Sequence, residues 1–414
     1  MTKISKKIAK VPNLRFPEFS EEWKEITLGD CSLSLDYGMN AAATNFDGIN
    51  RYIRITDIDD ISSKYKSDSP VSPTGELEDK YLVKENDILF ARTGASTGKS
   101  YLYKPDDGKL YFAGFLIRVK IDSNYYNANF IFNQTKTVSY NKWVKLMSMR
   151  SGQPGINSQE YASFKFGVPL KSEQNKIASF LSLIDERIQT QSKVITQLES
   201  LMQGIREKIF KQQLRFKDVN GNDFPDWGMK KLRDIGTRII SKNKENNQKV
   251  LTISAQMGLI SQLDFFNKSV AAKDVTNYYL LTKNDFAYNR SYSDGYPMGA
   301  IKKLTRYDKG VVSTLYICFR LNSDTDTDFI EQYFETGIQN SEIEKFAQEG
   351  SRNHGLLNIS ISDFFNIKIS IPCLEEQTKI ANFLSTIDER INTEKQLLKQ
   401  YENQKKYLLQ NIFI

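Results

Sequence analysis

Residues 92–100 read Arg-Thr-Gly-Ala-Ser-Thr-Gly-Lys-Ser, and the closing Gly98-Lys99-Ser100 suggests a loop that cradles phosphate. A phosphate-binding loop of that kind places four residues between its first glycine and the Gly-Lys-Ser. Here Gly94 and Gly98 are separated by three. The loop also needs a strand before it and a helix after it, so that backbone N–H groups and a helix N-terminus converge on the phosphates. The apolar run at 86–91 supplies a strand, but residues 101–112 carry Pro105 and an Asp107-Gly108 turn signal and do not read as a helix. A nucleotide hydrolase using residues 94–100 is therefore disfavoured. The chain has a single histidine, His354, which removes histidine-oriented nucleophile triads and nearly all histidine metal sites. A centre built from carboxylates alone stays possible, yet no pair of acids stands out. Cys31, Cys318 and Cys373 are far apart without metal-ligand spacing, so free thiols and a reducing, cytoplasmic compartment are expected.

The formal charge of +7 in 414 residues points to a polyanionic partner. The basic N-terminal stretch lacks the apolar core of a signal peptide, and no apolar run of about 18 residues exists to span a membrane. With 21 tyrosines and 25 phenylalanines, the chain can build both aromatic cores and a binding surface.

The elements that would position such a surface are written twice. Residues 168–210 and 371–413 align without a gap at an offset of 203, sharing Glu-Gln-x-Lys-Ile-Ala-x-Phe-Leu-Ser-x-Ile-Asp-Glu-Arg-Ile from Glu173 to Ile188 and from Glu376 to Ile391. Preceding segments correspond more loosely. Residues 14–30 answer 214–234, with Trp23 matching Trp227, and 81–92 answer 279–290. Residues 151–157 answer 351–358, and Pro169 and Pro372 stand just before the shared segments, where proline is tolerated.

Both shared segments are helices by period. Ile177, Leu181, Ile184, Ile188, Ile195, Leu198, Met202, Ile205 and Ile209 step by three and four, interrupted at Gln191. Ile380, Leu384, Ile387, Ile391, Leu398, Tyr401, Leu408 and Ile412 do the same, interrupted at Glu394 and Lys405. An antiparallel pairing within the chain would relate the halves by an approximate two-fold axis, each helix being about 60 Å long at 1.5 Å per residue. An intermolecular zipper is the alternative. Between the helices, strands are expected at 51–58, 87–92, 115–121, 249–254 and 315–321, and helices at 127–138 and 327–348. The fold class is α+β: two globular domains separated by two long antiparallel coiled-coil helices, as an internal repeat.

Polar residues collect at the ends of these runs. In the first half they are Arg54, Thr56, Arg92, Thr93, Gly94, Ser96, Thr97, Lys99, Arg150, Ser151 and Gln153. In the second they are Gln256, Asn289, Arg290, Tyr292, Ser293, Tyr296, Arg352, Asn353 and His354. Arginine, asparagine and glutamine make paired hydrogen bonds to guanine or adenine edges, whereas lysine, serine, threonine and backbone N–H suit phosphates. The second copy of the 92–100 loop has no Gly-Lys-Ser. A nucleotide site would lose function on that change, while a loop that reads a target should vary in this way. Gly94 and Gly98 are then expected to let the backbone approach DNA closely.

Over its whole length the chain resembles the specificity subunit of type I restriction–modification systems. The resemblance rests on the duplicated Pro…Glu-Gln…Asp-Glu-Arg-Ile segments and on the runs at 14–23, 52–58 and 87–99. It implies two target-recognition domains, 1–168 and 214–370, each reading half of a split DNA site, with spacer helices at 169–213 and 371–414. It implies a non-catalytic DNA-binding chain that holds two adenine-N6 methyltransferase subunits and, optionally, two ATP-dependent restriction subunits. S-adenosylmethionine, ATP and Mg sites would belong to those partners, with no cofactor or metal on this chain. Asp185, Glu186, Arg187, Asp388, Glu389 and Arg390 face away from the apolar seam and are candidates for holding the partners. The second half departs from the pattern where Arg290 is followed by Ser291 and Tyr292. A coiled-coil scaffold with no DNA role is the remaining alternative.

Overall fold

In the computed structural model, which describes residues 11–149, 153–266, 274–349 and 357–414, the chain divides into two units. The first holds the chain through Ser192 together with Leu397–Ile414, and the second holds Lys193–Gln396. Two continuous helices, Lys171–Phe210 and Leu374–Asn411, are the longest elements and answer the periodic segments. Each contributes one end to each unit.

The first unit is organised on a four-stranded antiparallel sheet in the order Ser32–Tyr37, Leu116–Ile121, Asp87–Ala91, Ser100–Leu102. The second repeats that order with Gly236–Arg238, Ile317–Leu321, Phe286–Asn289 and Ala300–Lys303. In both, the central strand enters through a left-handed asparagine, Asn86 (φ 69°) or Asn284 (φ 72°), followed by a buried aspartate. Asp87 accepts the backbone N–H of Lys84 at 2.8 Å, and Asp285 that of Thr282 at 2.7 Å. Arg118 and Arg320 on the neighbouring strands meet the same carboxylates at 3.8 and 2.6 Å. The repeated Asn-Asp of the sequence is thus a turn-and-anchor device that fixes where the central strand begins.

A two-stranded ribbon joins the start of each unit to the strand before the long helix: Lys24–Thr27 with Lys165–Val168, and Gly228–Lys231 with Lys368–Ile371. The next turn places Glu173 and Glu376 in the first turn of each long helix, where the helix dipole favours a carboxylate. Both carboxylates are buried. Glu173 accepts from Arg15 at 2.8 and 2.7 Å and from the Trp23 indole at 3.3 Å. Glu376 accepts from Arg215 at 3.2 and 2.8 Å and from the Trp227 indole at 3.2 Å. The adjacent glutamines act alike. Gln174 accepts from the backbone of Asn127, the N-cap of Ala128–Gln134, and Gln377 from that of Asp326, the N-cap of Thr327–Glu335.

In the first unit the paired helices run antiparallel, with Asp185 bound to Lys405 and Arg187 over the ring of Tyr401 at 5.2 Å. In the second they run antiparallel as well, with Glu199 on Lys395 at 2.6 Å and Arg206 on Asp388 at 3.1 Å. The intrachain pairing is therefore present in each unit. The seam residues are buried or half-buried, but the ends of the seam enter the domain cores rather than packing only helix on helix. Phe413 packs on Phe130 at 5.3 Å in the first unit, and Phe210 on Phe329 at 5.4 Å in the second.

Three expected elements are shorter than the sequence suggests, or are divided. The run 51–58 is a strand only over Arg51–Ile53, because the Asp57 carboxylate takes the Arg54 backbone N–H at 2.9 Å and turns the chain into Ile55–Asp57. The helix expected at 127–138 stops at Gln134, and Thr137 caps a new helix, Val138–Met147, by accepting from Tyr140. Likewise 327–348 divides into Thr327–Glu335 and Asn340–Glu344, with Gly337 in the left-handed region between them. Among the described residues no helix is long and apolar enough to cross a membrane.

Candidate nucleic-acid interface

The loop 92–99 leaves the central strand of the first sheet and folds onto its own unit. Its backbone is held by Gly94 N–H to Pro154 O at 2.9 Å and by Ile156 N–H to Arg92 O at 2.9 Å. Thr97 Oγ1 donates to Gly94 O at 2.7 Å, closing the short turn Gly94–Ser96, and Thr93 bridges to Gly155. Ser100–Leu102 follows as a strand, so the loop does not lead into a helix. Lys99 pairs with Asp60 and donates to Ile58 O at 3.2 Å, and its side chain is only 13% exposed. Its charge is used inside the unit, which disposes of the phosphate-loop reading.

Gly98 also differs from expectation. Its φ is +91°, and a Cβ there would lie 2.5 Å from Val144 Cγ1. Its N–H donates to the Tyr161 hydroxyl at 3.1 Å and its carbonyl accepts from Tyr140 at 2.8 Å. The close approach that this glycine permits is to Val144 of the unit's own helix Val138–Met147. Gly94 has φ +74°, and a Cβ there would meet only the tip of the exposed Gln153 side chain at 3.2 Å.

Arg92 is half-buried at the end of the central strand. Its guanidinium lies 4.8 Å from the Tyr37 ring centre and donates to Gly114 O at 3.3 Å. The Tyr37 hydroxyl is bonded to the side chain and backbone of Ser158, both at 3.2 Å, which lowers its pKa. Sequence reasoning missed Tyr37, which is 55 positions from Arg92 and carries no local motif. Arg54 is clamped by Asp57 through two bonds of 2.8 Å, and that pairing raises its pKa. Thr56, beside it, is exposed, and Ser96 is half-buried. Arg150 and Ser151 lie outside the described residues.

In the second unit Arg290 takes the place of Arg92. Its guanidinium donates to Ile359 O and Leu315 O, both at 3.4 Å, and its carbonyl accepts from Leu357 at 3.0 Å. Asn289 accepts from the backbone of Ser291 at 3.1 Å, and Ser293 and Tyr296 close the next turn through their backbones. Tyr292 and Gln256 are exposed. Tyr296 points inward: its hydroxyl donates to Glu335 at 2.6 Å and accepts from Lys302 at 2.8 Å. Arg352, Asn353 and His354 lie outside the described residues.

On the helices, four of the six residues expected to hold partners are engaged within the chain. Asp185 binds Lys405, Arg187 lies over Tyr401, Asp388 accepts from Arg206 and Gln332, and Arg390 pairs with Glu394 at 2.5 Å. Glu186 and Glu389 are exposed. Among the described residues no cluster of three or more histidine, cysteine or acidic side chains could hold a metal.

Comparison with known proteins agrees with this plan. Residues 20–200 and 225–403 each match the type I restriction modification DNA specificity domain. The type I restriction enzyme MjaVIII specificity subunit of Methanocaldococcus jannaschii is 24% identical over 96% of this chain and 92% of its own length. The crystal structure of the type I restriction–modification S subunit from M. genitalium shares the fold, with a TM-score of 0.59 at 14% identity, covering 98% of this chain and 99% of that one. A chain from a study of complex assembly and conformational transition of the type I R-M system aligns with a TM-score of 0.54 at 14% identity, over 94% of this chain and 96% of that one.

Proposed function

This chain belongs to the type I restriction–modification DNA specificity family, and from that premise we propose that each of its units reads one half of a bipartite DNA site. The family supplies specificity rather than catalysis. The observation that carries the bipartite reading is the repeated sheet order with an arginine, Arg92 or Arg290, ending the equivalent central strand. One frame with two different sets of loop residues suits a chain that reads two different half-sites. Arginine at such an end can take a guanine edge or a phosphate. Arg54, Thr56, Thr93, Ser96, Gln153, Gln256, Asn289 and Tyr292 are the described neighbours proposed to complete the two readers. The long helices set the base-pair gap between half-sites, as protein geometry sets half-site spacing elsewhere.

The partners in this reading are two adenine-N6 methyltransferase subunits, joined optionally by two restriction subunits, in the cytoplasm. S-adenosylmethionine, ATP and Mg are bound by those partners. Exposed Glu186 and Glu389, at equivalent positions of the repeat, are the acidic residues proposed to meet them. The test is co-expression with the methyltransferase subunit of the same system, followed by mapping of N6-methyladenine across the host genome. A single split motif, with an adenine in each half and a fixed gap, is the expected result. A stable complex that methylates no motif would overturn sequence reading, and failure to form a complex would overturn the partner assignment.

A further inference from the structure

In the first unit Ala91 pairs with Leu116, which puts Arg92 opposite Phe115, and the Arg92 N–H donates to Phe115 O at 3.1 Å. In the second, Tyr288 pairs with Ile317, so that two residues further Arg290 stands opposite Leu315 and donates to its carbonyl. Phe115 is 64% exposed and Leu315 68% exposed. On the adjoining strand of the first sheet Tyr37, opposite Ile117, is 42% exposed. Extended two residues beyond its last pair, Arg238 with Phe319, the register of the second sheet brings Ile240 opposite Ile317, and Ile240 is 62% exposed.

A lone exposed leucine needs no explanation. The same two register positions in both units, at the sheet end that carries the arginine, hold large side chains that present apolar surface to solvent, and that does need one. These segments of the two repeats share few residues, so common wording does not account for it. Solvation gains nothing there, because apolar surface left in water forgoes the stabilisation of burial. The chain's net charge of +7 and the arginine on the same edge select a polyanion as the occupant, and a polyanion that also offers apolar surface is duplex DNA.

We propose that Phe115 with Tyr37, and Leu315 with Ile240, are specificity-determining residues that press apolar atoms onto bases of the two half-sites while Arg92 and Arg290 anchor the same edge. This rests on the DNA-reading function proposed above. Two parts of a base can take such a contact. A thymine methyl meets apolar side chains in the major groove, and an unstacked base face accepts a wedge in the minor groove.

The test uses the full chain assembled with its methyltransferase subunit, on a duplex carrying the methylated motif. Phe115→Ala weakens binding to that duplex about tenfold. It leaves the affinity for a duplex with the first half scrambled unchanged. It also leaves the slope of log affinity against log salt unchanged, since no phosphate charge is involved. Leu315→Ala does the same for the second half alone, and Phe115→Leu retains most of the affinity. Replacing thymines by deoxyuridine one at a time identifies a methyl contact, as a loss in the wild type that Phe115→Ala no longer shows. A 2-aminopurine signal that rises with the wild type and not with Phe115→Ala identifies an unstacked base. The proposal falls if both alanine variants bind the motif like the wild type, or if they weaken the scrambled duplexes equally. A wild-type complex that fails to distinguish motif from scrambled DNA would instead sink the reading on which it rests.

Discussion

Arg15 precedes Glu173 by 158 residues, yet its guanidinium meets that carboxylate through two hydrogen bonds, at 2.8 and 2.7 Å. The Glu173 side chain is 1% exposed, so the carboxylate depends on Arg15, the Trp23 indole and the helix dipole for its solvation. Arg215 and Glu376 repeat the relation in the second unit. Glu173→Gln leaves Arg15 without its counter-charge and is expected to cost about 3 kcal/mol. Native-state hydrogen exchange should show the loss in the first unit only, and Glu376→Gln should show it in the second only. Wild-type protection in either variant would refute the account.

Glu173 and Glu376 also mark what the sequence could and could not convey. The duplicated Glu-Gln was visible as a repeat because helix periodicity and the shared segment are local. Its purpose was not, because Arg15 and Trp23 stand 158 and 150 residues upstream and nothing in the spacing joins them. The Asp-Glu-Arg triplets illustrate the reverse. A seam diagram turns Asp185 and Asp388 outward, whereas Lys405 and Arg206 reach them from the antiparallel helix. At the loops, composition picked out residues that stand at strand ends, including Arg92 and Arg290. It could not separate an inward side chain such as Tyr296 from an outward one such as Tyr292, since that depends on the Glu335 and Lys302 pairing.

The two glycines of the 92–100 loop should respond differently to alanine. At Gly98 the added Cβ meets Val144 at 2.5 Å on a backbone with φ +91°. At Gly94 only the left-handed backbone opposes it, because the nearest atom is the end of Gln153. Gly94→Ala should cost about 1–2 kcal/mol and Gly98→Ala about 1–3 kcal/mol more. Combining Gly98→Ala with Val144→Ala should recover part of the second loss in chemical denaturation, and purely additive effects would contradict the contact.

Lys99 gives a direct contrast between phosphate binding and internal pairing. Its ammonium is bound to Asp60 and to the Ile58 carbonyl. Lys99→Ala should therefore leave nucleotide turnover at background, as in the wild type, and lower DNA affinity by less than about threefold, a surface-pair effect. The salt slope of DNA binding should change by less than one counterion. An ATPase activity present in the wild type and lost in the variant would restore the phosphate-loop reading.

Lys136 predicts a pH dependence of stability. Its side chain is half-buried in the first unit, the ammonium donating to Ser63 Oγ at 2.6 Å and Ser100 Oγ at 2.9 Å and lying 4.3 Å from the Phe132 ring centre. Burial, and to a smaller extent the nearby charge of Lys405, lower its pKa to about 7 against the opposing effect of Asp185. In the unfolded chain a lysine titrates near ~10.4. Between pH 7 and that value the unfolded state holds a proton that the folded state has released, so stability rises with pH across the window. Below pH 7 both states are protonated and folding bears the full cost of burying the charge. Lys136→Met removes that cost together with its pH dependence. Denaturation of both proteins at pH 7 and at pH 9.5 should show the wild type gaining a few kcal/mol relative to the variant as pH rises. Equal differences at the two pH values would mean that Lys136 keeps an ordinary pKa in the folded unit.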